Sequence, residues 1–306
     1  MNKDLISDLS SIRTPSGSPG VSVLTGEPMS GHTTFRIGGD AEYFVTPRSE
    51  DAFSKALSVL RGYGVRVFVL GRGSNVLFSD EGFDGAVVST AALDDVSVDG
   101  ANVRACCGAS LTAVSRIAGR SSLTGLEFAF GIPGSVGGAV YMNAGAYDGE
   151  MADVVRSTRA VDPVSGVIRT VTGEEHGFGY RNSVFKKTGE IVLSTEFELK
   201  PGDGDEISAK MAELMERRQD KQPLEYPSAG SVFKRCEGRF TGKMIEDAGL
   251  KGTAVGGARI SEKHAGFIIN TGGATAKDVL ALIELIKDRI DSLYGVSLEC
   301  EVIYVE

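Results

Sequence analysis

The stretch GIPGSVGGAVYMNAGAYDGE, residues 131–150, places six glycines in twenty positions and no charged side chain before Asp148. Glycine reaches dihedrals closed to other residues but costs about 0.5–1 kcal/mol relative to alanine inside a regular helix or strand. A segment this rich in it is therefore not expected to build an ordinary element. Two physical readings remain: tight turns around a small-residue core, or a backbone held open so that N–H groups approach a phosphate-bearing ligand. The bias extends to the whole chain, with 40 glycines in 306 residues, about twice the usual share.

That length suggests two or three domains. Lysine and arginine total 32 against 41 aspartates and glutamates, and the resulting net charge of −9 opposes general attraction to nucleic acid or to an anionic membrane. An anionic ligand would have to be held by a local site. No apolar run is long enough for a membrane span, and MNKDLISDLSSIR lacks a secretory hydrophobic region, so a cytoplasmic protein without membrane insertion is expected. Cys106, Cys107, Cys236 and Cys300 form no CxxC and fit reduced thiols, while His32, His176 and His264 lack metal-ligand spacing, so no metal site is expected.

Residues 1–20 are polar and end in the turn-rich TPSGSPG, which reads as a flexible N-terminal extension outside the fold. Then Phe53, Ala56, Leu57 and Leu60 follow at helical spacing behind Ser49 as cap, leading to the apolar strand VRVFVL and the loop GRGSN. Short β-rich segments are predicted at 86–89, 103–106, 154–161 and 191–199. The acidic, glycine-rich link at 201–205 reads as a domain boundary before a helix containing SAKMAELMERRQDKQ. A last helix in TAKDVLALIELIKDRIDSLYG has capping-box spacing at Thr275 and Asp278, an apolar face of Val279, Ile283, Ile286, Ile290 and Leu293, and Gly295 as its stop.

Four stretches carry candidate chemistry. In VFVLGRGSN a buried strand feeds a turn whose backbone donors and short polar side chains suit a pyrophosphate, although the pattern is not the dinucleotide fingerprint G-x-G-x-x-G. With residues 131–150, and with TTFRIGG as a third such loop, an extended dinucleotide explains more than idle turns do. In GYRNSVFK, Arg181 offers a fork for a carboxylate or phosphate, against the alternative of a surface arginine in a hairpin. In KQPLEYPSAGSVFKR, Ser228 and Ser231 have no histidine nearby that would activate a nucleophile.

At the C-terminus, SLECEVIYV is expected to place Leu298, Cys300, Val302 and Tyr304 on one strand face and Glu299, Glu301, Ile303 and Val305 on the other. A carboxylate set among such apolar groups is a candidate proton or hydrogen-bond donor, since desolvation favours its neutral form. The alternative is an exposed strand start.

The ordered set TTFRIGG, LGRGSN, GIPGSVGGAVYMNAGAYDGE, YRNSVFK, YPSAGSVFKR, GKMIEDAGLKG, ISEKHAGFIIN and LECEV resembles the UDP-N-acetylenolpyruvoylglucosamine reductases from about residue 30 to the end. That resemblance implies a three-domain α+β flavoprotein, with a two-lobed FAD-binding region at 21–90 and 91–204 and a C-terminal α/β substrate domain at 205–306. It implies an oxidoreductase that uses FAD and NADPH to reduce the enolpyruvyl ether of UDP-N-acetylglucosamine to UDP-N-acetylmuramate in peptidoglycan precursor synthesis. FAD would lie against Gly71, Gly73, Ser74, Asn75, Gly131, Ile132, Pro133, Gly134, Ser135, Gly137, Gly138, Asn143, Ala144 and Gly145.

By the same resemblance, Arg181 and Glu301 steady the substrate carboxylate and the charge developing on it, Ser231 is the proton donor, and Lys221 and Lys234 bind substrate. Cys236 stands where the family often has proline, and Cys300 interrupts the common Glu-Pro-Glu-Val. The short connection from Phe185 to Ile191 resembles the branch lacking the insertion that carries a substrate-covering tyrosine. Two other readings keep the glycine loops: a flavin oxidase of the wider superfamily, and a non-catalytic flavin- or nucleotide-sugar-binding protein.

Overall fold

A computed structural model of the chain describes residues 2–236 and 238–306, which fall into two compact units. The first takes the chain up to Thr25, Tyr43–Arg72 and Gly85–Arg217; the second takes Gly26–Glu42, Gly73–Asp84 and Arg218–Glu306. Neither is continuous in sequence, so the units follow neither the expected lobes at 21–90 and 91–204 nor a break at 204. The link at 201–205 is instead a helix start. Asp203 Oδ1 accepts the amides of Asp205 at 2.9 Å and Glu206 at 3.0 Å, the arrangement of a side-chain cap.

Residues 1–20 also depart from expectation. Helix α1, Lys3–Ser11, is capped by Asn2 Oδ1, which accepts the amides of Asp4 and Leu5. Leu5 and Leu9, one turn apart, are fully buried in the core of the first unit with Phe53 and Leu60 of α2, Glu50–Gly62. Two leucines at i,i+4 outweigh a polar composition once there is a core to receive them. Helix α2 starts as the sequence predicts, with Ser49 Oγ accepting the Ala52 amide at 3.1 Å.

A four-stranded sheet runs Val21–Pro28, Asp40–Pro47, Phe83–Ser89, Val67–Leu70, with the last two parallel. A five-stranded antiparallel sheet runs Ile168–Thr172, Val155–Val161, Ile191–Glu198, Asn102–Cys106, Val96–Asp99. Alongside stand α3, Leu111–Arg120, and α4, Val136–Met142. Helix α4 lies inside the glycine-rich stretch where no regular element is expected. Burial of Val136, Ala139 and Val140 stabilises it by roughly 1.5–3 kcal/mol for each branched side chain, which exceeds the propensity cost of Gly137 and Gly138. After α5, Val184–Thr188, helix α6, Gly204–Lys221, carries the chain from the first unit into the second.

The second unit holds an antiparallel sheet in the order Ser228–Ser231, Phe267–Asn270, Ala258–Ile260, Ala254–Val255, with α7, Thr241–Asp247, and α8, Ala276–Tyr294. Val279, Ile283, Ile286 and Ile290 of α8 fill its core, whereas Leu293, expected on the same face, is 45% exposed in the last turn. The capping box forms in both directions between Thr275 and Asp278, and Gly295 ends the helix with φ of 63°. The C-terminal strand is shorter than expected, Ile303–Val305, paired in parallel with Val76–Phe78. Leu298 and Val305 are buried and Tyr304 is exposed, so the two-face assignment fails: residues 298–302 are not one continuous strand.

Candidate active site

In the first unit, Arg181 sits at the tip of a two-residue turn that Gly179 and Asn182 close by exchanging both backbone hydrogen bonds at 3.1 Å. Arg181 itself has φ of 51°, in the left-handed region where a side chain costs about 1–2 kcal/mol. Such strain persists only where surrounding structure holds it. Here Ser183 Oγ donates to Tyr141 O at 2.7 Å, Lys186 Nζ donates to Arg181 O at 3.1 Å, and Asn143 Nδ2 donates to Gly179 O at 3.0 Å. The guanidinium lies 5.2 Å from the Tyr180 ring centroid, and its Nη2 reaches Gly145 O at 3.4 Å. The sequence shows a candidate fork; it does not show the three ties beneath it.

In the second unit the structure brings Ser231 and Glu301 onto neighbouring strands of chain. The Val232 carbonyl accepts the Glu301 amide at 2.8 Å, so the residue after Ser231 is bonded directly to Glu301. Asn75 Nδ2 donates to Glu301 O at 3.1 Å, and Asn75 O accepts the Ile303 amide at 3.0 Å. Pairing with Phe267–Asn270 shifts register between Ser228 and Ser231, around Gly230 at φ of 75°. A bulge of this kind re-aims the side chain that follows. The half-buried Ser231 hydroxyl has no hydrogen-bond partner among the described residues, leaving it available to an incoming group.

The glycines divide by cause. A Cβ on Gly137 would lie 2.9 Å from Cys107 Cβ, one on Gly145 would lie 2.7 Å from Gly149 O, and one on Gly149 would lie 2.7 Å from the Phe128 ring. Those three are small because the protein itself fills the space. Likewise a Cβ on Gly71 would overlap Ser135 Oγ, and one on Gly73 would overlap His32 O. Each unit nevertheless carries main-chain donors of its own that suit a phosphate. Amides of Gly134 and Ser135 in the first unit, and of Gly73, Ser74 and Asn75 in the second, donate to no protein acceptor among the described residues. Main-chain N–H groups of this kind are what a pyrophosphate requires.

Three predicted cofactor residues use their side chains elsewhere. Asn143 is fully buried, with Oδ1 accepting the Ala152 amide and Nδ2 on Gly179, and the Asn75 amide is on Glu301. Ser135 Oγ caps α4 by accepting the Gly138 amide at 3.3 Å. In TTFRIGG, Thr33 Oγ1 donates to Ile37 O and Thr34 Oγ1 to Ser228 O, so this third loop serves the second unit's own structure. Lys221 ends α6 and is exposed, while Lys234 is paired with Glu299 and its carbonyl accepts from Thr241.

Three cysteines and two histidines are shifted by burial. Burial pushes the Cys107 thiol up to about 12 and also raises Cys106 and Cys300, so none is prepared to act as a thiolate at neutral pH. Burial lowers His176, whose ring stacks on Phe178 at 4.8 Å with Nε2 3.0 Å from Thr158 Oγ1. It lowers His264 as well, where Nδ1 accepts the Gly266 amide at 3.1 Å.

Residues 222–305 match the family described as UDP-N-acetylenolpyruvoylglucosamine reductase, C-terminal domain, and residues 41–172 match an FAD binding domain. The chain is 49% identical over 280 residues to the UDP-N-acetylenolpyruvoylglucosamine reductase of Clostridium perfringens, which covers 92% of each chain. It is 50% identical over 274 residues to that of Clostridium novyi, covering 90% of this chain and 89% of the relative. Among solved structures it is similar to the UDP-N-acetylenolpyruvylglucosamine reductase from Thermus caldophilus, with TM-score 0.79 and 35% identity over 94% of this chain and 99% of that one.

Proposed function

The chain belongs to the UDP-N-acetylenolpyruvoylglucosamine reductase family, and from that premise we propose that Arg181, Ser231 and Glu301 handle the charge and proton of its reaction. It reduces the enolpyruvyl ether of UDP-N-acetylglucosamine to UDP-N-acetylmuramate with FAD and NADPH, a step of peptidoglycan precursor synthesis. When bound, FAD supplies the two-electron reduction of the enolpyruvyl double bond, with NADPH as the electron source. We place the reaction in the cytoplasm; no helix among the described residues is long and apolar enough to cross a membrane.

The chain's own groups have the chemistry the rest requires. Reduction at the terminal carbon leaves negative charge shared between the neighbouring carbon and the carboxylate. Arg181 orients that carboxylate through two parallel hydrogen bonds and opposes its charge. Glu301 donates a hydrogen bond to the same charge. Ser231 Oγ delivers a proton to the carbon, which is basic enough to take one from a poor acid, so no histidine is needed. The observation that carries this assignment is the Val232–Glu301 hydrogen bond, which seats an unengaged serine hydroxyl next to the glutamate segment.

FAD would be held by the free amides of Gly73, Ser74, Asn75, Gly134 and Ser135, with Gly71, Gly131, Ile132, Pro133, Gly137, Gly138, Ala144 and Gly145 lining the same two loops. Asn75 and Asn143 contribute backbone there and side chain elsewhere. Lys221 and Lys234 are assigned to substrate anions, which for Lys234 requires exchange of its partner Glu299. The test is anaerobic: reduce the bound flavin with NADPH, add the enolpyruvyl UDP-sugar, and follow the flavin absorbance. Prompt reoxidation with formation of the muramate product is expected; reduction without substrate-driven reoxidation would favour the oxidase reading.

A further inference from the structure

Asn143 occupies the left-handed position just after α4, with φ of 43°. Asparagine is tolerated there, and glycine would cap the helix as well, so the cap alone does not require a side chain. Yet both ends of the amide are used. Oδ1 accepts from Ala152 N and Nδ2 donates to Gly179 O, each at 3.0 Å, and the residue is fully buried. Gly179 O is also the acceptor that closes the Tyr180–Arg181 turn from Asn182 N. A second donor on that carbonyl fixes the base of the turn against the end of α4.

We propose that Asn143 is a positioning residue for Arg181, holding the strained turn so that the guanidinium meets the substrate carboxylate in one orientation. This inference rests on the reading that Arg181 touches substrate. Two features of the turn call for such a hold. Arg181 is in a backbone region that glycine would occupy more readily, so an untied turn relaxes and re-aims the fork. The other ties, Ser183 Oγ to Tyr141 O and Lys186 Nζ to Arg181 O, act on the flank beyond the turn and on the tip; Asn143 acts on the residue where the turn opens. The chain around Asn143, Gly131 to Gly145, is also the glycine-rich loop assigned to FAD, so one residue links the cofactor loop to the carboxylate fork.

The test uses the FAD-loaded enzyme and the variant Asn143→Gly, which keeps the left-handed backbone and removes the reach. Measured on the flavin-loaded fraction alone, substrate-driven reoxidation is expected to slow by about 10-fold or more relative to reduction by NADPH, the scale of a mis-set reacting group. In an Arg181→Ala background the same change is expected to cost less than about 2-fold, because residues acting through one group are not additive. Amide exchange at residues 179–183 is expected to quicken in Asn143→Gly. If Asn143→Gly folds poorly, Asn143→Ser, too short to reach Gly179, carries the same readouts.

An undiminished loss in the Arg181→Ala background, equal slowing of both half-reactions, or unchanged exchange at 179–183 would overturn the proposal. A different outcome separates the underlying reading: if Arg181→Ala alone leaves reoxidation unchanged, the role of Arg181 falls, and the exchange measurement still decides whether Asn143 holds the turn.

Discussion

Arg181 in the first unit stands on a turn and Ser231 in the second ends a strand beside the Glu301 segment, and the two places are held by different kinds of bond. The Arg181 turn is strained, and side chains hold it: Asn143, Ser183 and Lys186. The Glu301 segment is held through main chain, by the Glu301 amide on Val232 O and Ile303 N on Asn75 O, and by the Asn75 side chain on Glu301 O. A side-chain hold can be deleted by single substitutions far from the fork. A main-chain hold survives most of them, so damage in the second unit should come chiefly from the reacting side chains themselves.

That contrast can be broken most forcefully at Ser231. Ser231→Ala removes a hydroxyl with no partner to orphan among the described residues, so it is expected to slow substrate-driven reoxidation by about 10²–10⁴-fold. NADPH reduction of the flavin and the melting temperature should stay near the parent values. A comparable loss in the NADPH step, read by stopped-flow absorbance, would contradict the proton-donor role.

Arg181→Gly probes the strain. Loss of the fork is expected to cost roughly 10²–10³-fold in kcat/KM. Relief of left-handed strain, about 1–2 kcal/mol, exceeds the extra freedom of glycine in the unfolded chain, about 0.4–1 kcal/mol, so thermal stability should not fall. A lower melting temperature would show that the side chain supports the turn rather than straining it.

Glu301 gives a smaller and more discriminating effect. With its backbone held by Val232 and Asn75, Glu301→Gln keeps a hydrogen-bond donor in place and should retain about 10-fold more activity than Glu301→Ala, for a bond to charge worth about 1.5–3 kcal/mol. The reverse order in steady-state assays would remove the donor role.

The smallest effect is shared by both units. His176 lies just ahead of the Arg181 turn, and His264 holds Gly266, whose carbonyl accepts the Val232 amide. Burial lowers both from 6.5, so the unfolded chain binds these protons more readily than the folded one. Their contribution to stability is complete above that unfolded value and is lost as pH falls through it toward the lower folded values. Differential scanning from about pH 7.5 to 5 should show a falling melting temperature, and His176→Gln should flatten the part due to the first unit. An unaltered slope would assign the acid sensitivity to other groups.

How much of this was legible in the sequence depended on the distance over which each residue acts. Helix α8 was readable because its signals, Thr275, Asp278 and Gly295, lie within its own turns. Helix α4 was not, since its glycines argue locally against a helix and its stabilisation comes from burial in the first core. Asn75 and Asn143 sit in the cofactor loops, but their side chains reach Glu301 and Gly179, 226 and 36 residues away and beyond any local pattern. Arg181, Ser231 and Glu301 stood out by residue type and by resemblance; that the Glu301 amide bonds to the residue after Ser231 is a product of the fold alone.

Helix α1 has a practical meaning for anyone handling this chain. A truncation guided by its polar, turn-rich appearance would remove Leu5 and Leu9 from the first core, and each buried leucine lost costs about 2–5 kcal/mol. Together these approach the whole stability of a typical domain, about 5–15 kcal/mol. The Asn2 amide donates to Tyr43 Oη at 2.8 Å, so the structural debt begins almost at the first residue. Shortening the chain there would unmake the core of the unit that carries Arg181 without touching any group assigned to the substrate, and an assay would report the result as lost catalysis.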